Sequence, residues 1–357
     1  MRWRGQLSMR IRRRLPVIFA VLLVVAAVAL VVVLRKHAPP EPARLLPSAD
    51  GFFYVNLQWI RRANVASALP AVSHDPEYEQ FIQNTGFDFE RDLEQAAVAI
   101  HYPASGESTA LEDVRFSYVF VAKIDGERLR AYLKKISSSV ENHNSVDIYN
   151  LPLEGRTVRV AILGVDTVAV SNHNDPLVIR GIIDRSRKLA SPFGGPALLR
   201  QYYKQVPFAS LGWLIFRAVP SLKGTSQVPA FPINLSFLFS KPAVVVASAR
   251  YLGAVHLRAE AFAGSEDDAK HATDQLKTFL AIFNSAEISV SGHGPDPDVK
   301  QFFSSLKVEQ YGDRAVLTAT VPPGFIRKAV ADAPNEVTPP APPPDHKPIA
   351  PGRTSHE

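Results

Sequence analysis

Two short stretches set a histidine beside a carboxylate: Asn172-His173-Asn174-Asp175-Pro176 and Gly292-His293-Gly294-Pro295-Asp296-Pro297-Asp298. An imidazole and a carboxylate at this separation can hold a divalent metal between them, or serve as an acid/base pair in hydrolysis. The same residues have a second use. An aspartate directly before a proline is the pattern of a helix start, because its side chain accepts the free N–H groups of the first turn and the proline needs no donor there. Capping accounts for Asp175 and Asp296 without any chemistry, so no catalytic residue is assigned. His173, Asp175, His293 and Asp296 are the residues that a hydrolase or metal-dependent enzyme would use, provided that their two loops converge in one pocket.

Other chemistries find less support. Asp88, Glu90, Asp92 and Glu94 crowd four carboxylates into seven residues, and a solvated loop with a helix start explains them better than a catalytic acid pair. There is no His-Glu-x-x-His zinc helix, no Gly-x-Ser-x-Gly elbow, no P-loop and no Gly-x-Gly-x-x-Gly fingerprint. The chain has no cysteine, which excludes disulfides, thiolate nucleophiles and Cys-ligated metal sites. No cofactor or metal is expected.

The elements that would position these residues can be read from periodicity. Phe52–Leu57, Ala96–Tyr102, Phe116–Ala122, Val146–Tyr149, Thr157–Leu163, Thr167–Ser171, Leu211–Phe216 and Val255–Phe262 are strand candidates, rich in β-branched and aromatic residues. Leu129, Tyr132, Leu133 and Ile136 recur on one face of a helix capped by Asp125; Val178, Ile179, Ile182 and Ile183 do the same behind Pro176. Tight links at Gly155 and Gly164–Asp166 imply an antiparallel meander. After Val255–Phe262, Ser265 opens an acidic helix start, with Ala269, Ala272, Leu276, Phe279, Leu280 and Phe283 on one side, and a hairpin turns at Gly312-Asp313. Strand-then-helix units on both sides of a middle stretch predict an α+β chain of two related lobes with mainly antiparallel sheets. Their expected extents are 44–190 and 191–333. In the middle stretch, the Pro-rich loop Val219–Pro232 is expected to pack down rather than to form a flap over a groove.

Preceding the lobes, the run Pro16–Leu34 contains no charged or hydrogen-bonding side chain. As a helix it would be about 28 Å long, near the ~30 Å thickness of a bilayer core. A transmembrane helix is therefore expected over 16–34, and the membrane is the first partner. The basic segment 1–15 carries six arginines and no acid, which keeps it cytoplasmic. There Arg10, Arg12, Arg13 and Arg14 meet anionic lipid. Retention is favoured over cleavage, since the run ends in Arg35-Lys36 rather than at a small-residue cleavage site. A Pro-rich spacer is expected over 35–43, and a disordered Pro-rich tail over 334–357.

The whole chain carries 40 basic and 34 acidic residues, but residues 1–37 hold eight of the basic ones and none of the acidic. The exported part is close to neutral, so nucleic acid is not expected as a partner.

The basic start, the single span, the Pro-rich spacer, the opening Leu45-Leu46-Pro47-Ser48-Ala49-Asp50-Gly51-Phe52-Phe53-Tyr54-Val55-Asn56-Leu57 and the later Gly86-Phe87-Asp88-Phe89-Glu90-Arg91-Asp92-Leu93 resemble a group of uncharacterised bacterial membrane-anchored proteins with exported α+β repeats. The resemblance implies a bacterial envelope location and transfers no site residue. The expected place is the inner (cytoplasmic) membrane, with the folded part periplasmic or extracellular. The expected role is a non-enzymatic binding or scaffold module whose partner is an envelope protein, a lipid or a wall polymer. The hydrolase or metal-dependent enzyme is the alternative. A structural spacer is the third reading, set apart by the lack of any concave apolar surface.

Overall fold

The computed structural model describes residues 38–62, 74–103, 114–153, 155–187, 194–218, 238–290 and 297–325. The expected transmembrane run 16–34, the basic segment 1–15, residues 35–37 of the spacer, the tail 334–357 and the loop Val219–Pro232 lie outside these residues. Among the described residues, no helix is long and apolar enough to cross a membrane.

The described strands form one antiparallel sheet. In chain order they are β1 (Gly51–Asn56), β2 (Leu93–His101), β3 (Arg115–Ala122), β4 (Ser139–His143), β5 (Val146–Leu153), β6 (Arg156–Ile162), β7 (Thr167–Ser171), β8 (Gly212–Ala218), β9 (Ala243–Tyr251), β10 (Val255–Phe262), β11 (Lys307–Tyr311) and β12 (Arg314–Val321). Across the sheet the order is β11-β12-β10-β9-β8-β1-β2-β3-β7-β6-β5-β4. The strands before residue 190 thus make one half and the later ones the other. They join where β1 pairs with β8, with Phe52 opposite Ile215 and Tyr54 opposite Trp213.

Paired residues share a face, so the register sorts the side chains. On one face Phe52, Ala97, Val119, Ala169 and Ile215 are all fully buried. Helices α1 (Glu41–Leu45) and α6 (Leu177–Arg187) pack there. Alanines at 97, 99, 161 and 169 leave room for Ile179, Ile182 and Ile183 of α6 to approach the strands closely. On the opposite face, α5 (Gly126–Ile136) sets Leu129 and Leu133 against Tyr149, Val160 and Val168. Beside it, α3 (Pro76–Thr85) brings Phe81 to Phe87 and Ala96. In the other half of the sheet, α8 (Glu266–Val290) places Ala272 against Phe216, Val245 and Ala315, and α9 (Pro297–Ser305) leads into β11.

Three local outcomes differ from the sequence expectation. Glu41–Leu45, which overlaps the expected spacer 35–43, is helical, with Ala43, Leu45 and Leu46 in the core. Pro42 sits in the first turn, where its missing N–H costs nothing. Ser139–His143, a polar stretch absent from the strand candidates, is the edge strand β4; a polar edge discourages further pairing. The strand β9 follows the proline-rich loop and carries unbroken Val244-Val245-Val246, which gives no alternation to read.

Candidate functional site

His173 and Asp175 lie in the turn between β7 and α6. Asp175 Oδ1 accepts the Leu177 N–H at 2.8 Å, and the Asp175 N–H donates to His173 Nδ1 at 3.1 Å. Asp175 is thus a helix cap, and His173 Nδ1 is an acceptor engaged within its own turn. His293 and Asp296 lie outside the described residues. Among the described residues, no group of three or more His, Asp or Glu could hold a metal ion. Asp175→Ala should therefore lower stability by about 1 kcal/mol through loss of the cap, while Asp175→Asn should retain most of it, both read by denaturant unfolding. Bound metal that disappears in the alanine variant would restore the ligand role.

What His173 does meet was not visible in the sequence. The His101 ring stands edge-on to it, with centroids 5.0 Å apart. His101 Nε2 lies 3.3 Å from Ser117 Oγ, and Ser117 Oγ lies 3.0 Å from Ser171 Oγ. Ser171 Oγ also accepts the His173 N–H at 3.2 Å, and Arg159 donates to the His173 carbonyl at 2.7 Å. Burial pushes the His101 imidazole down to about 4; His173 adds to this, and Asp50 opposes it. Both serines are fully buried, so neither hydroxyl can meet a substrate as the protein stands. The cluster ties the ends of β2, β3 and β7 to the turn that starts α6. Its one sequence signal is a serine in each of two strands whose inward neighbours are apolar.

Asp88 and Asp92, two of the four carboxylates of 88–94, are structural as well. Asp88 caps α4 (Phe89–Asp92) by accepting from Glu90 and Arg91 N–H groups. Asp92 is held by the Arg91 guanidinium, which draws its carboxyl below the usual range.

A cavity of a different kind lies on the sheet face that carries α5 and α8. Between these helices the centre of the sheet forms a groove of roughly 560 Å³, lined by Phe53, Val55, Leu214, Ala247, Leu257 and Phe302 among others. The groove exists because its strands are apolar on both faces: Phe52 and Tyr54 point into the helix-covered core, and Phe53 and Val55 point the other way. The unbroken run Phe52–Val55 was the available signal, since a half-solvated antiparallel strand alternates. The groove's volume falls within the roughly 300–1,000 Å³ of small-molecule sites. Its lining offers burial rather than directed hydrogen bonds, which suits a hydrocarbon ligand.

No family model matches the chain, and no curated protein matches it. Among solved structures it is similar to TP0453: crystal form III superimposes with a TM-score of 0.42 at 10% identity, covering 83% of this chain and 99% of that one. Crystal form IV gives a TM-score of 0.41 at 10% identity, covering 82% of this chain and 97% of that one.

Proposed function

We propose that this protein is a non-enzymatic binding module of the bacterial envelope, anchored through the apolar run 16–34 with its two lobes exported, and that the groove takes the acyl chain of a membrane lipid. The observation that carries the reading is the concave apolar groove at the centre of the sheet, a feature that a spacer does not need. Its occupant is argued from chemistry and position. A lining this apolar selects hydrocarbon over a wall polymer, which is rich in hydroxyls and charge. A chain tethered at Leu34, four residues before the described fold begins at Ala38, keeps the groove where lipid is the most abundant apolar ligand. The hydrolase reading has only His173 and Asp175 within the described residues, and these serve the helix start.

The test is saturable binding of a fluorescent fatty acid to the delipidated full-length protein in neutral detergent, compared with Ala247→Glu. Ala247 is partly exposed in the groove wall, so a carboxylate there stays hydrated when the groove is empty and must be desolvated when an acyl chain enters. Affinity should fall about tenfold or more with little change in melting temperature. Equal binding by both proteins would remove the groove as the site.

A further inference from the structure

On the opposite face of β9, β10 and β12, a second cavity of about 520 Å³ opens at the end of the sheet where α9 meets β11. Arg250, His256, Arg258 and Lys307 line it together with the hydroxyls of Ser304, Thr318 and Thr320, and no carboxylate is among its lining residues within the described part of the chain. The register explains the concentration. Arg250 stands directly opposite His256, which stands opposite Thr320; Arg258 stands opposite Thr318, which stands opposite Lys307. Antiparallel sheets favour opposite charges across such pairs, and like charges brought together destabilise them.

Among the described residues, the acids on the neighbouring strand positions do not neutralise the cavity. Glu260 is buried and shared: Arg258 Nε donates to one oxygen at 2.7 Å, and Arg314 donates to the other at 3.2 Å. One negative charge thus answers two guanidiniums, and the terminal nitrogens of Arg258 remain available. Glu309 on the edge strand accepts from the Tyr311 hydroxyl. Arg250 and Lys307 have no ion-pair partner among the described residues. His256 Nδ1 is engaged with Thr320 Oγ1 at 3.3 Å, and its Nε2 has no hydrogen-bond partner among the described residues.

We infer that this cavity binds the phosphate of a phosphate ester whose alcohol part carries further hydroxyls, as in a glycerol phosphate. Guanidinium and ammonium groups converging beside the Thr318 hydroxyl match the several acceptor oxygens and the charge of a phosphate, whereas a carboxylate would need one arginine; Ser304 Oγ donates to the Gln301 carbonyl at 2.9 Å and keeps its lone pairs for a ligand hydroxyl. The volume exceeds that of a bare phosphate, and Ser304, Thr318 and Thr320 offer partners to a polyol. The site is separate from the apolar groove, although the two share Ser248, Leu257, Arg258 and Ala319 in their walls. Phosphate binding does not require the groove to be filled.

The experiment is calorimetric titration of the full-length protein in neutral detergent with glycerol phosphate, and separately with phosphatidylglycerol in mixed micelles, using phosphatidylcholine as the control. Arg250→Gln and Lys307→Gln are the variants, since neither side chain supports a described ion pair and both should melt as the parent does. Each should weaken binding about tenfold, the size expected for one lost charge-assisted contact. Binding of the soluble ester by the parent and its loss in the variants supports a site for free phosphate esters. Loss confined to phosphatidylglycerol supports a lipid headgroup as the source. If neither probe binds, or if the variants bind as well as the parent, the inference is overturned; the second outcome would move lipid binding to the arginines of residues 1–15. Because these probes lack the fatty-acid readout, failure here leaves the acyl-chain reading of the groove to its own test.

Discussion

Replacing Phe52 with alanine should lower the free energy of unfolding by about 3–5 kcal/mol, the range for removing a fully buried phenylalanine from a core that cannot close over the gap. Phe52 has no exposed surface. It lies on β1 between Ala99 of β2 and Ile215 of β8, and α1 and α6 cap the same core. Collapse is hindered because the neighbours belong to a hydrogen-bonded sheet whose spacing is fixed. Val165→Ala, at a position 91% exposed, should change stability by no more than about 0.5 kcal/mol. Chemical denaturation of the two variants beside the parent makes the comparison. A loss below about 1 kcal/mol at Phe52 would mean that the junction between the halves of the sheet is not packed as described.

Acidification should destabilise the protein through His101. Its imidazole is held at about 4 in the folded state against an ordinary 6.5, chiefly by burial. Above pH 6.5 the ring is neutral whether the chain is folded or not, and His101 imposes no penalty. As the pH falls below 6.5, the unfolded chain takes up a proton that the folded one refuses, so stability declines down to about pH 4 and then levels. With the ring partly open to solvent, the loss over that window is on the order of 2–3 kcal/mol. Other groups titrate there too, so the measurement is a difference: unfolding free energy from pH 7 to pH 4 for the parent and for His101→Asn. The asparagine variant should show a flatter profile by that amount. Parallel profiles would show that His101 is readily protonated in the folded protein.

Much of the fold was legible where local rules act alone. Asp125 caps α5 through the N–H groups of Glu127 and Arg128. Asp75 caps α3, and Gly86 closes it in the left-handed conformation with φ 73°. The turn at Gly312-Asp313 joins β11 to β12. Such features depend on residues a few positions apart. Harder to read was whatever depends on strands meeting from afar. His101, Ser117 and Ser171 come from three strands, and nothing in their spacing announces that they touch. The groove has the same character: Phe53, Ala247 and Phe302 become one surface only once β1 lies beside β8. Edge strand β4 escaped notice because its polar residues, suited to a sheet's rim, look like a loop.

The central place of β1 also bears on how the chain can assemble as it leaves the ribosome. Its partner on one side, β2, follows after a short interval, and β3 to β7 can then zip up outward from it. The partner on the other side is β8, so Gly51–Val55 must wait for Gly212–Phe216. Until those residues emerge, a half-built sheet presents a bare row of N–H and C=O groups beside Phe53 and Val55, an invitation to any other nascent strand. The interval between the synthesis of Ser171 and that of Gly212 is therefore one in which a chaperone has an open edge to shield, and a chain stalled within it would be left with β1 unpaired on that side.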